Sequence, residues 1–392
     1  MSEEKAKIGT LFPILNSNNS GCGGREDSAQ ATPGKLTGIA RLAAMGEEAG
    51  EGHEIEFRTL PVRSLLNNSV SRRGLWFAKS INPYRGCEFA CRYCYARYTH
   101  EFLELRDPAD FERKIFIKEN SRWLLEQEIA KLHPGEEVAL GTATDPYQPI
   151  ERRARATRGI LEVFAKRRGL RLGIVTKSTL IERDIDLLTE IACRHELVIH
   201  LTITTADAKL ARILEPRAPR PDLRFQTVRR LREARLRAGV LCSPLLPGIT
   251  DNLSAMEGVA RRAKEADASF FAAQPLFLKP CSKATFLDFV KEHFPQLLPS
   301  YERRYARDAF TSEAYQQRMR ELVRVVTQKH GLGRRLTDAL LTRDTGPASS
   351  TTQAPVQGEL FTTEEEAQKR SVEGQRPQPQ RMNNVIRGRF SA

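Results

Sequence analysis

Six short β-rich runs alternate with helical patterns through the middle of this 392-residue chain, and this alternation most restricts its fold. Alternating strands and helices are typical of β/α units around a parallel sheet. The predicted strands are Phe77 to Asn82, Glu137 to Thr142, Leu170 to Thr176, Leu197 to Thr204, Val240 to Leu245 and Ser269 to Leu276. The helical patterns between them are Ser121 to Leu132, Ala154 to Arg168, Glu182 to Arg194, Asp222 to Ala238 and Asn252 to Ala266. The sequence therefore predicts an α/β protein.

The two ends of the chain lack the apolar periodicity of a packed core. Residues 1–55 are predicted to form a disordered N-terminal tail, and residues 346–392, rich in Pro, Gln, Ser and Thr, a disordered C-terminal tail. Residues 56–277 are predicted to hold the β/α units. Residues 278–345 are predicted to form a C-terminal helical extension, with helices over Phe286 to Phe294 and Tyr301 to Gln328.

The composition indicates a cytoplasmic protein. No apolar run reaches the roughly 18 residues needed to span a bilayer, so no membrane association is expected. The first residues, Met1 to Lys5, contain no apolar signal-peptide core, so export is not expected. The seven cysteines are then expected to be reduced thiols rather than a disulfide framework.

The net charge is +13, with a pI near 9.6, and the basic residues are concentrated in two stretches. Such a density attracts phosphate and favours nucleic-acid binding. Both stretches also fit amphipathic helices, whose outer faces are polar in any case, so a simple solvated surface is the alternative interpretation. The first stretch comprises Arg152, Arg153, Arg155, Arg158, Lys166, Arg167, Arg168 and Arg171, and the second runs from Arg212 to Arg237.

Cys87, Cys91 and Cys94 are spaced C-x3-C-x2-C, with no second cysteine pair to complete the set. Three thiolates leave one iron of a 4Fe-4S cluster open to a small molecule, an arrangement suited to catalysis. The alternative is a structural zinc site, which needs four ligands, commonly two cysteine pairs, and would require His100 as the fourth. The spacing favours the cluster.

This spacing, with the aromatic Tyr93 just before the last cysteine, resembles the signature of the radical S-adenosylmethionine (SAM) superfamily. The resemblance implies a partial (β/α)6 TIM-like barrel, a 4Fe-4S cluster held by Cys87, Cys91 and Cys94, and SAM bound at the fourth iron. It also implies that an electron, from a donor such as flavodoxin or ferredoxin, cleaves SAM to a 5'-deoxyadenosyl radical.

In parallel α/β folds the chemistry lies at the carboxyl ends of the strands, so polar residues there are candidate SAM contacts. A lysine at a strand end suits a carboxylate, and small or hydroxyl residues suit the amino-acid and ribose moieties. Threonine is also favoured in strands by β-propensity alone, which is the competing interpretation. The candidates are Gly141, Thr142, Thr144, Lys177, Ser178, Thr202 and Thr204.

Several motifs between about residues 77 and 277 resemble the spore photoproduct lyase branch of the superfamily. These motifs are Asn82-Pro83-Tyr84-Arg85-Gly86, Cys94-Tyr95, Thr144-Asp145 and Thr176-Lys177-Ser178. The resemblance implies a DNA repair lyase in which Thr144 and Lys177 contact SAM and Tyr95 takes part in hydrogen return.

One departure concerns the hydrogen donor. Where that branch has a donor cysteine, this chain has Ala143, which has no weak X–H bond to donate. Photoproduct repair is therefore not assigned. Cys242 and Cys281 are candidate replacement donors, although buried cysteine is commonly a small apolar filler.

The C-terminal tail contains Gln357-Gly358-Glu359-Leu360-Phe361, which resembles the Q-x-x-L-F peptide that binds bacterial sliding clamps. A disordered segment with an apolar anchor can dock into a groove. Gln357, Leu360 and Phe361 are therefore predicted clamp contacts, and capture of wild type but not Phe361→Ala by immobilised clamp tests this.

The sequence as a whole predicts a radical SAM enzyme with a nucleic-acid substrate, and a lyase-like DNA lesion repair as the leading reaction. Radical modification of RNA or a peptide is the alternative reaction. A non-catalytic iron-sulfur protein that binds nucleic acid and senses redox state is the alternative class.

Overall fold

The computed structural model describes residues 37–45, 48–52, 55–68 and 78–333, which belong to one compact unit beginning at Thr37. Within these ranges no helix combines the length and apolar character needed to cross a bilayer. The predicted C-terminal tail and its clamp-like residues Gln357, Leu360 and Phe361 lie outside the described residues, as does most of the predicted N-terminal tail.

The strands in chain order are β1 Glu48–Gly52, β2 Ile55–Leu60, β3 Leu66–Asn68, β4 Ala78–Ile81, β5 Tyr84–Arg85, β6 Lys114–Lys118, β7 Glu137–Leu140, β8 Arg171–Thr176, β9 Glu196–Thr202, β10 Ala238–Leu245 and β11 Phe271–Pro275. The helices are α1 Gly38–Ala44, α2 Tyr98–Glu101, α3 Asp110–Arg113, α4 Ser121–Ile129, α5 Glu151–Ala154, α6 Ala156–Ala165, α7 Ile185–Ala192, α8 Ala208–Leu214, α9 Pro221–Glu233, α10 Leu253–Glu265, α11 Pro280–His293, α12 Leu298–Arg304 and α13 Glu313–Lys329.

The larger sheet has the strand order β11-β10-β9-β8-β7-β4-β3. Its neighbours from β4 to β11 pair in parallel, and β3 pairs antiparallel with β4 at one edge. These six parallel strands are the six predicted from the sequence, and α4, α6, α7, α9 and α10 are the five predicted helices. The partial (β/α)6 TIM-like barrel is thereby confirmed.

A second sheet, of order β1-β2-β6-β5, was not predicted. The prediction of a tail up to residue 55 is corrected here, because α1 and β1 are regular elements. Strand β1 pairs antiparallel with β2, from Glu48 opposite Arg58 to Gly52 opposite Ile55. Ala43 of α1 packs with Leu60 of β2 in one apolar cluster. Backbone hydrogen bonds to β2 therefore order residues 48–52, whose sequence has no regular alternation of apolar and polar residues.

Within residues 278–333, the described part of the predicted C-terminal extension, the structure has helices, but their bounds differ from the predicted ones. The first helix, α11, begins at Pro280 rather than near residue 286, because proline is well suited to the first helical position. The predicted helix over residues 301–328 is two helices, α12 and α13. Ser312 begins the second by accepting a hydrogen bond from the Tyr315 amide at 3.4 Å.

Candidate active site

The segment 86–97, called the cluster loop below, follows β5 and carries Cys87, Cys91 and Cys94. All three thiols are free and line one cavity of about 640 Å³. Burial raises the pKa of each, that of Cys91 to about 12, so a bound cation is needed to hold them as thiolates.

Residues that follow β7 hold the start of the cluster loop. The Thr144 hydroxyl donates to the Gly86 carbonyl at 2.6 Å, and the Gln148 side-chain amide donates to the same oxygen at 3.2 Å. Gln148 Oε1 accepts from the Glu88 amide at 2.9 Å. Gly86 has φ +82°, and a Cβ there would lie 2.8 Å from the carbonyl oxygen of Lys114. The loop thus has a fixed backbone position at the carboxyl ends of the parallel strands.

Most of the predicted SAM-contacting residues meet at this cavity, and two do not. Ser178 instead begins the turn after β8, where its hydroxyl accepts from the Leu180 amide at 3.2 Å. Thr204 is buried against the hydroxyl of Tyr93 at 2.9 Å. The predicted residues that line the cavity are Gly141, Thr142, Thr144, Lys177 and Thr202.

Gly141 has a backbone reason to be glycine as well as the predicted steric one. Its φ is +91°, and a Cβ there would lie 2.6 Å from both Pro146 Cδ and the Val175 carbonyl oxygen. Neither neighbour is the flexible end of a side chain. The close approach of β7 and β8 at their carboxyl ends therefore requires a glycine.

Asp145 and Asn82 organise the strand ends, and neither was singled out as a site residue from the sequence. Buried Asp145 accepts from the Thr176 hydroxyl at 2.7 Å, the Lys177 amide at 2.8 Å and the Tyr147 amide at 2.9 Å. Asn82 donates to Thr142 Oγ1 at 3.1 Å. Both residues occur in the quoted motifs, so the motifs marked them, but without a role.

A buried polar network lies behind the cluster loop. The Tyr93 hydroxyl donates to Glu215, and Arg224 pairs with the same carboxylate at 2.6 Å. Burial raises the pKa of Glu215, but the charges of Arg224 and Lys177 outweigh burial, so the net shift is downward. Lys177 Nζ lies 5.6 Å from the centre of the Tyr93 ring. An ionised Glu215 thus balances the two cations beside the cluster loop.

Tyr95, predicted to take part in hydrogen return, and the two candidate donor cysteines occupy different environments. Tyr95 lines the cavity and donates its hydroxyl to the Thr142 carbonyl, and burial raises the pKa of this phenol. Cys242 is buried in the core of the large sheet, where its thiol donates to the Thr204 carbonyl at 3.6 Å. Cys281 lies 3.6 Å from the Ser282 hydroxyl. Neither cysteine is among the residues that line the cavity, whereas Tyr95 is.

His100, the alternative fourth zinc ligand, belongs to the core instead. Its Nε2 lies 2.9 Å from the Lys114 carbonyl oxygen, and its ring packs edge-on against Phe111 and Phe116. Burial lowers the pKa of His100 to about 4. The neutral ring is held by the backbone and does not reach the cavity lining.

Similarity to known proteins identifies the family. The Radical SAM superfamily profile matches residues 81–257. An uncharacterized protein of Mycobacterium tuberculosis is 31% identical over 335 residues, which cover 84% of this chain and 95% of that protein. The chain belongs to the radical SAM superfamily.

Two further relatives extend the comparison of this radical SAM protein. An uncharacterized protein of Methanocaldococcus jannaschii is 29% identical over 222 residues, covering 57% of this chain and 77% of that one. Spore photoproduct lyase complexed with dinucleoside spore photoproduct has a TM-score of 0.51 at 14% identity, covering 70% of this chain and 79% of the other. The latter likeness shows a shared fold.

Radical SAM proteins use a 4Fe-4S cluster and SAM, and the residues present fit both. Across the described ranges, no three His, Cys, Asp or Glu side chains are close enough to share one metal ion. Cysteines that each bind a different iron of a cluster need no common ion. The three free thiols of the cluster loop, facing one cavity with Thr142 and Lys177, match that donor set.

Proposed function

We propose that this radical SAM protein is an enzyme that acts on a nucleic acid, with a lyase-like repair of a DNA lesion as the leading reaction. The observation that carries this proposal is an exposed basic surface beside the cluster loop. We call Arg152, Arg153 and Arg155, which follow β7 at its carboxyl end, the arginine surface; all three are exposed.

The arginine surface lies next to the cluster loop. Ile150, which precedes Arg152 by two residues, donates its amide to the Glu88 side chain of that loop at 2.7 Å. Among the described residues, Arg152, Arg153 and Arg155 form no ion pair. Exposed guanidinium groups near a reaction site attract a phosphate backbone toward it.

The second basic stretch is different, because most of its arginines bond to other groups of the protein. Besides the buried pair of Arg224 and Glu215, Arg220 pairs with Asp222 at 2.7 Å and Arg232 with Asp267 at 3.3 Å. The alternative interpretation of a helix surface therefore fits this stretch. Support for a nucleic acid comes from the first stretch alone.

We assign the residues of the cavity the following roles. Cys87, Cys91 and Cys94 would hold the cluster, while Thr142 and Lys177 would bind SAM. When bound, the reduced cluster and SAM together supply a carbon-centred radical that abstracts hydrogen from the substrate. Asp145 positions Lys177 through its backbone amide, and Tyr95 holds a neutral phenol at the cavity wall.

Replacing arginines that precede α6 and arginines that follow it in the chain tests the nucleic-acid proposal. Arg152→Gln/Arg153→Gln removes two charges at the carboxyl ends of the strands. We expect it to weaken oligonucleotide binding about tenfold at low salt and to reduce the slope of log K against log salt by about 2, because each phosphate contact contributes close to 1. Fluorescence anisotropy over a salt series measures both effects.

The matched control is Arg167→Gln/Arg168→Gln, which removes the same charge from exposed residues between α6 and β8, at the amino ends of the strands. We expect this variant to bind like the wild type. Equal losses in the two double variants, or a wild-type affinity that does not respond to salt, would contradict the proposal.

A second experiment separates the enzyme from a redox sensor, and DNA from RNA or peptide substrates. Anaerobically reconstituted wild type, given dithionite and SAM, is expected to release 5'-deoxyadenosine. Cys91→Ala is expected to release none, whereas Cys193→Ala, an exposed thiol after α7, keeps the wild-type rate. Intact SAM with a reducible cluster would favour the sensor. Deuterium transfer from labelled DNA, RNA or peptide identifies the substrate class.

Two partners remain predictions. An electron donor such as flavodoxin or ferredoxin would supply the reducing electron, and the sliding clamp would bind through the tail.

A further inference from the structure

One wall of the cavity carries two cations from the small sheet. Arg85 of β5 and Lys118 of β6 both line the cavity that the cluster thiols line. Arg85 stands opposite Phe116 in the antiparallel pair of β5 and β6. Because Lys118 is two residues beyond Phe116, it lies on the same face of the sheet as Arg85, a diagonal neighbour about 7–8 Å away.

Lys118 is deeply buried, with 6% of its surface exposed. No hydrogen bond or ion pair joins its ammonium group to any residue in the described ranges. The carboxylate of Glu128 is the acidic group that favours its charge, but the oxygens of Glu128 accept from the backbone amides of Leu65 and Leu66 at 2.8 to 3.2 Å. The fold therefore buries a cation without providing a bonded counter-ion.

The guanidinium group of Arg85 also has a donor without a hydrogen-bond partner among the described residues. Its Nη1 donates to the Thr99 carbonyl at 3.0 Å, while its buried Nε has no partner among the described residues. Burying an ammonium or guanidinium group without a partner is costly. Burial lowers the pKa of Lys118 to about 7, with the charge of Arg85 acting in the same direction and Glu128 opposing it. An anion between the two cations would offset this cost.

The neighbouring side chains suit a nucleotide. Tyr98 and Phe102 line the same cavity, with ring centres 5.9 Å apart in an edge-on arrangement. The Arg85 guanidinium carbon lies 6.0 Å from the Phe102 ring centre. Aromatic faces stack on bases, and a guanidinium with an ammonium binds phosphate.

We propose that Arg85 and Lys118 form a phosphate-binding subsite that anchors a phosphate of the nucleic-acid substrate inside the active-site cavity. This inference rests on the proposed function and identifies a phosphate as the part of the substrate that binds in the cavity. Arg85 precedes Cys87 by two residues, so their Cα atoms are at most about 7 Å apart. A phosphate held there places its nucleoside beside the cluster loop.

The SAM carboxylate is a less suitable occupant. The residues expected to contact SAM lie at the ends of β7, β8 and β9, in the large sheet. Arg85 and Lys118 line the same cavity but belong to the small sheet. The two anions therefore have separate cationic partners, Lys177 for SAM and the Arg85 and Lys118 pair for the substrate.

Lys118→Met tests the subsite, because it keeps the length of the side chain and removes its charge. The probes are the dinucleoside phosphate thymidylyl-thymidine and its neutral methylphosphonate analogue. We expect reconstituted wild-type protein to prefer the charged probe about tenfold, since a hydrogen bond to a charged group contributes on this scale. Lys118→Met should lose the preference, and Lys118→Arg should keep it.

Three outcomes would overturn the subsite. They are equal wild-type affinity for the two probes, an unchanged preference in Lys118→Met, and weaker SAM binding by Lys118→Met, which would assign the pair to the SAM carboxylate. If Lys118→Met does not fold, thermal shifts of the wild type decide the question. The charged probe should raise the melting temperature and the neutral analogue should not.

The subsite and the proposed function fail in different ways. If oligonucleotides bind through the arginine surface but the charged probe is not preferred, the subsite is wrong and the nucleic-acid proposal stands. If no oligonucleotide binds, yet inorganic pyrophosphate stabilises the wild type and not Lys118→Met, the subsite stands and the nucleic-acid substrate is wrong.

Discussion

Lys118 illustrates how one residue can combine a stability cost with a role in binding. It occupies a buried position in β6 where an apolar side chain would pack without the cost of desolvating a charge. Residues of this kind are typical of sites where function is retained at the expense of stability. A purely structural lysine would be expected to have a carboxylate or carbonyl partner, and Lys118 has neither among the described residues.

The stability cost of Lys118 predicts a pH dependence. Burial lowers the pKa of Lys118 from 10.5 to about 7. Between these values the unfolded chain binds a proton that the folded chain does not, so this group makes the protein more stable as pH rises. Its destabilising effect is fully present below about pH 7 and is lost by about pH 10.5.

We therefore expect Lys118→Met to be more stable than wild type in urea unfolding at pH 7, with the difference shrinking toward pH 10. The comparison of the two proteins cancels the other groups that titrate in this range. A difference that stays constant with pH, or a less stable variant at pH 7, would show that Lys118 is not buried as a costly cation.

At the scale of elements, the loop after β7 connects the cluster loop to the carboxyl end of β8, where we propose that SAM binds. Thr144 and Gln148 hold the Gly86 carbonyl, while Asp145 holds Thr176 and Lys177. One loop thus fixes the two proposed cofactor sites relative to each other. This arrangement depends on the close approach of β7 and β8 at Gly141.

Gly141→Ala is expected to disturb this loop. The new Cβ would meet the Val175 carbonyl oxygen at 2.6 Å in a backbone with φ +91°. We expect a loss of about 2 kcal/mol or more in the free energy of unfolding and weaker SAM binding, because strain and overpacking add. Urea unfolding and anaerobic SAM titration measure the two effects.

Gly258→Ala in α10 is the control, since its Cβ would meet nothing within 4 Å. Alanine is the better helix former, so this variant should gain up to about 1 kcal/mol. Wild-type stability together with wild-type SAM affinity in Gly141→Ala would show that the loop tolerates a side chain and that the close approach is not required.

At the scale of the whole molecule, the cavity is formed by two sheets. The large sheet supplies Thr142 and Lys177 at its strand ends, and the small sheet supplies Arg85 and Lys118. The six parallel strands were predictable because each carries a local β-rich pattern. The small sheet was not, because β5 has only two residues and β1 shows no apolar period, so their pairing depends on partners distant in sequence.

The sequence by itself predicted the alternating elements of the barrel and marked the three cysteines of the cluster loop, since C-x3-C-x2-C spacing is a local property. It also marked Gly141, Thr142, Thr144, Lys177 and Thr202, because strand ends in a parallel sheet meet at one edge. Only the tertiary structure showed which of the described arginines are ion-paired, left Cys242 out of the cavity lining and brought Lys118 and Arg85 to the same cavity. Ion pairing and burial depend on which residues meet in space, and composition and spacing do not specify those meetings.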